Sequence, residues 1–384
     1  MGNVIKIIEK ETDGKSYCSH KYCHDTTPTA GIDYDDNTKV VWKNYGETVK
    51  YTKPIYLKDL ADKIKGNNSI FRFFLDGSRH TYKTDDISYN KNVYPMLAGQ
   101  VGIGCCRREN KEMDVEQFTR KLVVVLPDVA YNDEWGAQNF FNNLLQKINK
   151  APDLQKKHNI KFDKILTYNR TQDDKLEKKG IAVIQEYMVE LEKDAVANLV
   201  LQGKLSQDSY LIKDGSLEYK AVSTKGNNKK NLSDKKVANY YKYVVGVSKS
   251  FDPTKCETKF GGTNSDIIAN LRLFERTPAY MYQSSIAGDV CFIIWYLRIR
   301  DAKYTKNVFD GVLKIEKLAL TESEQEKGLD SELVDFISAN IFNERNPVCY
   351  GADNRWANHI YPVYLTESYM KSKYLSNDLF MQLF

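Results

Sequence analysis

The tripeptide Asp-Gly-Ser occurs twice in this chain, each time after an apolar run. "FRFFLDGSRHTYK" puts Asp76 behind Phe73-Phe74-Leu75, and "SYLIKDGSLEY" puts Asp214 behind Tyr210-Leu211-Ile212 and Lys213. A strand holds its last side chain rigidly, and a following glycine lets a cation, a phosphate or a water come close to the backbone, so an acid in that place suits metal binding or catalysis. The same tripeptide also suits an ordinary turn. A third acid, Glu192, lies in "IAVIQEYMVELEKDAVANLVLQ", where Ile181, Ile184, Met188, Leu191, Ala195 and Leu199 recur at helical spacing. Glu186, Glu190 and Lys193 fall on the solvent side of that helix. Glu192 falls at the flank of the apolar face, where a carboxylate looks toward a sheet edge. A boundary glutamate turned out to water fits the same position. Two strand acids and one helix acid make an all-oxygen set of the kind that recruits Mg²⁺ or Mn²⁺. Two such ions about 3.5–4 Å apart activate a water and stabilise the leaving oxygen in phosphodiester hydrolysis. Without cations the carboxylates repel one another.

Other patterns carry less. Cys18, His20, Cys23 and His24 in "CSHKYCHD" are zinc-ligand types, but four ligands within seven residues crowd a tetrahedral site, and a reduced polar loop is the preferred reading. "GQVGIGCCRRE" is glycine-rich without a Walker A or GxGxxG spacing and reads as a tightly packed strand, with Cys105 and Cys106 structural. Arg107 and Arg108 are strand-end arginines within reach of a nucleic-acid backbone. The loop 225–236 has five lysines and one aspartate, with Tyr240, Tyr241 and Tyr243 beside it for stacking on bases; a solvated loop is the preferred reading.

The elements that must position the acids read as an α/β pattern. Val4–Ile8 and Lys39–Trp42 are strand-like, and "LKDLADKIKG" is a helix closed by Gly66. A strand into a glycine turn at Asp76, a second strand over "NVYPMLAGQVGIGCC" and a third over "KLVVVLP" follow. Helices are expected at "EWGAQNFFNNLLQKI", 181–202, "DSELVDFISANIF" and "TESYMKSKYLSNDLFMQLF", and strands at 209–213, "YYKYVVGVSKSF" and "CFIIWYLRIR". An opening run of strands before the helix–strand units predicts a mixed sheet that begins as an antiparallel meander and is flanked by helices, not a doubly wound sheet.

The bounds are consistent with a folded enzyme or binding protein. The 384 residues are 42% hydrophobic and 12% aromatic, enough for a sizeable core. The net charge of +5 is mild, so any nucleic-acid surface must be local. The longest apolar run, "VCFIIWYL", is too short to span a bilayer, and "MGNVIKIIEK" has no secretory apolar region. Seven unevenly spread cysteines argue for reduced thiols, and the expectation is a cytoplasmic protein with no membrane partner.

In order, "FLDGS" (Asp76), "ELEKDA" (Glu192), "IKDGSL" (Asp214), "VVGVSK" (Lys249) and "IYPVYL" (Tyr361) resemble the motifs of the NurA nucleases. They extend from residue 76 to 369, most of the chain, and each is short, so the order carries the likeness. The resemblance implies an RNase H-like, or Piwi-like, core within residues 69–384, with helical insertions at 122–180 and 257–290 and an N-terminal extension over 1–68. It implies a metal-dependent DNA nuclease, dimeric, working with a HerA-type hexameric ATPase in DNA-end processing or phage defence. Asp76, Glu192 and Asp214 become the metal ligands, with Mn²⁺ or Mg²⁺, expected as a pair of ions. Lys249 becomes a point charge for a phosphate, and Tyr361 the family's active-site tyrosine. The family's histidine eight residues later is replaced here by Tyr369, leaving His359 as a substitute. That departure keeps a second reading open: a non-catalytic RNase H-like module that binds DNA or docks on an ATPase. Carboxylates that converge favour the enzyme, and scattered ones favour the module.

Overall fold

A computed structural model of the chain describes residues 3–26, 41–65, 69–131, 136–152, 154, 159–169, 175–221, 231–253, 263–345 and 356–384. In chain order its elements are α1 (Asn3–Thr12), β1 (Lys15–Ser16), β2 (Tyr22–Cys23), β3 (Val41–Tyr45), β4 (Ile55–Tyr56), α2 (Lys58–Ile64), β5 (Phe71–Tyr89), β6 (Asn92–Glu109), β7 (Glu112–Pro127), α3 (Ala137–Asn149), β8 (Lys164–Tyr168), α4 (Leu176–Leu201) and β9 (Tyr210–Asp214). They continue with α5 (Lys235–Asn239), β10 (Val244–Ser248), α6 (Ser265–Ala269), β11 (Glu275–Arg276), β12 (Tyr280–Ser284), β13 (Val290–Arg298), β14 (Val312–Leu318), α7 (Glu322–Lys327), α8 (Ser331–Asn343), α9 (Tyr361–Lys371) and α10 (Asn377–Gln382).

Among the described residues these strands form one 14-stranded mixed sheet with the main order β3-β12-β13-β14-β10-β9-β5-β6-β7-β8. β5, β6 and β7 make an antiparallel meander. β9 then pairs parallel with β5, and β10 parallel with β9. The fold is therefore α/β, a large mixed sheet flanked by helices. The segments 122–180 and 257–290 contribute strands as well as helices: the first begins inside β7 and includes β8, and the second includes β11 and β12. Residues before 69 are joined to the same sheet, with β1 and β2 on β5, β3 on β12 and β4 on β11.

Two local expectations are overturned. Val4–Ile8 is helical, because Val4, Ile5 and Ile8 bury one face of α1 at helical spacing. The first Asp-Gly-Ser is not a turn: β5 runs through it for 19 residues, because β6 continues to pair there, with Asp76 opposite Gly104 and Gly77 opposite Ile103. The hairpin bends instead at Asn90-Lys91, with φ of 48° and 69°, and β6 returns to β7 at Asn110-Lys111, with φ of 49° and 69°. Two consecutive positive φ values are the mark of the type I′ turn that suits strand twist. The second tripeptide does end a strand, and Gly215 takes φ 81° there. The C-terminal stretch is helical as expected, in two pieces, α9 and α10. The strand expected from Lys39 begins in the described residues at Val41. Gly66 and residues 225–230 of the lysine loop lie outside the described residues.

The two faces of the sheet carry different helices. Alternation along β6 sends Leu97 and Gly99 one way and Gly102 and Gly104 the other. A β-carbon at Gly99 would meet Ile184 of α4 at 3.1 Å, whereas one at Gly104 would meet Met370 of α9 at 3.3 Å. α4 therefore covers one face of the meander and α9 the opposite one.

Candidate metal and active site

Asp76 shares the parity of Gly104 and so points to the α9 face. Lys213 on β9 is the parallel partner of Leu75, which sets Asp214 beside Asp76 on that same face. α9 starts with Pro362 in its first turn, where the missing N–H costs nothing. It buries Pro362, Val363, Thr366 and Met370, and Met370 and Thr366 rest on the side-chain-free track of Gly102 and Gly104. Glu367, at the flank of this stripe, reaches the two aspartates. One oxygen from each of Asp76, Asp214 and Glu367 lies within 4.8 Å of the others. At about 4 Å, two like charges in a partly buried site repel by about 4 kcal/mol, so the cluster needs positive charge.

Part of that charge is built in. Lys249, directly after β10, places its ammonium 3.0 Å from Asp214 Oδ2 and 3.3 Å from Glu367 Oε2. Lys371, one turn along α9, is 2.6 Å from Glu367 Oε1. Burial alone would raise the Glu367 carboxyl, but Lys249 and Lys371 overcome it and hold it down at about 2. Burial opposes the charge on Lys249, and Asp214 with Glu367 more than restores it, so its ammonium is held well above the usual lysine range. Asp76 is the exception. It is only 6% exposed, and its carboxylate has no hydrogen-bond or ion-pair partner among the described residues. Burial first, and then the neighbouring Asp214, push its carboxyl well above the ordinary range.

Glu192 comes to the same cavity from the other face. Gly77, next along β5, points toward α4, and a β-carbon there would run into Glu192 Oε1. Glu192 is buried, and the Lys213 ammonium is 3.2 Å from its Oε2. Burial raises its carboxyl, with Lys213 opposing. The ammoniums of Lys193 and Lys213 lie 5.1 and 5.5 Å from the Tyr219 ring centroid, a cation–π clamp behind the pair. A cavity of about 530 Å³ at the end of β9 is lined by Asp76, Asp214, Glu367 and Lys249 together with Glu192 and Lys213.

The structure thus brings Asp76, Asp214 and Lys249 together, adds Glu367, and keeps Glu192 at the far wall of the cavity. It does not bring Tyr361 or His359 there. Tyr361 is 46% exposed and lines a different cavity with Arg108, Glu344 and Arg345. His359 is buried, its ring 5.4 Å from that of Tyr364. Tyr369 packs edge-on against Phe118 at 5.8 Å. Arg107 pairs with Glu109 and Glu116, and Arg108 forks onto Glu344 at 2.6 Å. Among the described residues the Cys18–His24 stretch forms no metal-compatible group: Cys18 is exposed, Cys23 buried, and His24 paired with Glu177 at 2.8 Å. Glu367 escaped the sequence reading, although the signal used for Glu192 was present: it too flanks a buried helical stripe.

The donor set is oxygen only, and a deeply buried carboxylate in it has no hydrogen-bond or ion-pair partner among the described residues. That chemistry fits a hard divalent cation and not a soft one, and the class defined is an α/β protein with an acidic pocket at a strand end. No protein-family model matches the sequence, and no curated protein does. Among solved structures the chain is similar to the NurA nuclease from Sulfolobus solfataricus, at 10% identity and a TM-score of 0.41, over 81% of this chain and 83% of that one. No helix among the described residues is long and apolar enough to cross a membrane.

Proposed function

We propose that the chain is a divalent-metal-dependent DNA nuclease that hydrolyses phosphodiester bonds at the Asp76–Asp214–Glu367 pocket. The observation that carries this reading is the Asp76 carboxylate, buried and without a hydrogen-bond or ion-pair partner among the described residues, beside two further acids. A Mn²⁺ or Mg²⁺ ion bound there would supply a nucleophilic hydroxide at neutral pH and stabilise the leaving oxygen. Asp76, Asp214 and Glu367 would hold the ion. Lys249 sits where it can meet a phosphate oxygen as a point charge, and Lys371 on the rim adds to the field that draws the backbone in. The order of the motifs favours DNA and a HerA-type ATPase partner with a dimeric assembly. The meander, long helix and two parallel strands favour an RNase H-like core. The non-catalytic alternative is weakened by the convergence of the acids.

The test is cleavage of plasmid and linear DNA with Mn²⁺. The wild type should cut, and Asp76→Ala and Asp214→Ala should each lose about 100-fold or more, the scale of removing a group that acts in the transition state. Equal cleavage by all three proteins would end the reading.

A further inference from the structure

We infer that this pocket takes one divalent cation, not the pair expected from the sequence, because the Lys249 ammonium permanently occupies the place of the second. The inference rests on the nuclease reading and specifies its metal centre. Three observations carry it. On the α9 face, three carboxylates stand against the ammoniums of Lys249 and Lys371, which leaves one negative charge uncompensated. That charge sits on Asp76, nine-tenths buried and without a hydrogen-bond or ion-pair partner among the described residues, so a single cation completes the cluster. A second would lie against an ammonium already 3.0 Å from Asp214 and 3.3 Å from Glu367.

Lys249 is also anchored, not free to swing away. Its side chain is buried, and its backbone carbonyl accepts a 2.6 Å hydrogen bond from Asn358 Nδ2, whose Oδ1 accepts from the Gly311 N–H at 2.6 Å. The other acids that line the cavity are Glu192 and Glu218. Glu192 lies on the opposite face, paired with Lys213, and Lys213 also donates to the Ser216 carbonyl at 3.1 Å. A second ion that took Glu192 as a ligand would have to break that buried pair. The consequence is a site whose second positive charge does not depend on metal concentration.

Isothermal titration calorimetry with Mn²⁺, alone and with a phosphorothioate oligonucleotide, reads the stoichiometry, and electron paramagnetic resonance reports whether two Mn²⁺ ions are coupled. The wild type should bind one ion in both conditions with no dipolar coupling. Lys249→Met should bind two, and Lys249→Arg, which keeps the charge, should bind one. Two coupled ions in the wild type, or one ion in a folded Lys249→Met protein, would overturn the inference while leaving the nuclease reading intact. If Lys249→Met does not fold, the wild-type count and spectrum decide. A wild type that binds no Mn²⁺ fails the metal reading itself, and this inference with it.

Discussion

Asp76 and Glu367 share a pocket and their carboxyls shift in opposite directions, because among the described residues Asp76 has no ion-pair partner and Glu367 has two. The Asp76 carboxyl is raised in the folded protein, so the fold binds its proton more readily than the unfolded chain does. Its effect on stability is adverse once it ionises: stability is lost as pH rises through the raised value and recovered on acidification. Glu367 is held at about 2 against an ordinary 4.5. Its contribution is complete above about 4.5 and lost as pH falls toward 2. Thermal melts of the metal-free protein should therefore show a stability maximum on the acid side of neutrality. Asp76→Asn should remove the neutral-side loss and raise the melting temperature at pH 7 by a few degrees, since each unit of pKa displacement is worth about 1.4 kcal/mol. Mn²⁺ should raise the melting temperature of the wild type and leave that of Asp76→Asn unmoved. A melting temperature for Asp76→Asn below the wild type at pH 7 without metal would show that the carboxylate is compensated after all. The same geometry separates Glu367 from Tyr361. Glu367→Gln should cost cleavage about as much as Asp214→Ala, whereas Tyr361→Phe, altering a hydroxyl in the other cavity, should leave rates within about twofold of the wild type, the ordinary size of a surface change.

At the scale of elements, the site depends on how closely α9 can lie on β6. Met370 and Thr366 approach the glycine positions 102 and 104, and the Tyr374 hydroxyl donates to the Ser78 carbonyl at 2.8 Å across the same surface. A β-carbon at Gly104 would already stand 3.3 Å from Met370 Cβ, so the branched side chain of Gly104→Val has no room unless α9 lifts. Glu367 would lift with it. The expected outcome is at least a tenfold loss of Mn²⁺ affinity by calorimetry, with destabilisation of about 1–3 kcal/mol by overpacking; unchanged affinity would show that α9 does not set the position of Glu367. This contact also explains what the sequence could and could not tell. The strands and α4 were legible because their periods and apolar runs are local properties. The glycine-rich run was legible as a packed strand, but not what it packs against, since α9 lies some 260 residues further on. Asp76-Gly77-Ser78 was misread as a turn because tripeptide chemistry permits one, and only the pairing with β6 decides otherwise. Asp76 and Glu192 reach one cavity from opposite sides of the pleat, since adjacent residues of β5 face opposite helices, and which face each helix takes is a tertiary fact.

Across the whole molecule, the N-terminal residues read as an extension are tied into the sheet by a buried charge. Glu47 is 1% exposed, and its carboxylate accepts from Arg276 Nη1 at 2.9 Å, from Arg276 Nη2 at 2.8 Å and from the Ala279 N–H at 2.7 Å. Arg276 is itself fully buried between Glu47 and Asp335, the latter 2.6 Å from its Nε. The neighbouring backbone is clipped as well, with Gly46 donating to the Ala279 carbonyl at 2.8 Å and Leu329 donating to the Gly46 carbonyl at 2.9 Å. Removing one partner of a buried ion pair costs about 3–5 kcal/mol, because the other charge is stranded. Glu47→Ala should therefore destabilise the protein by that amount in chemical denaturation. Deleting residues 1–68 should do more, since it strips β1–β4 from three places in the sheet and leaves Arg276 with Asp335 alone. Such a truncation should be insoluble or lose its cooperative melt, although every residue of the acidic pocket remains. A soluble 69–384 fragment that melts cooperatively and binds Mn²⁺ like the full chain would make the N-terminal part a separable appendage, and the Glu47–Arg276 pair a consequence of its docking and not a condition of the fold.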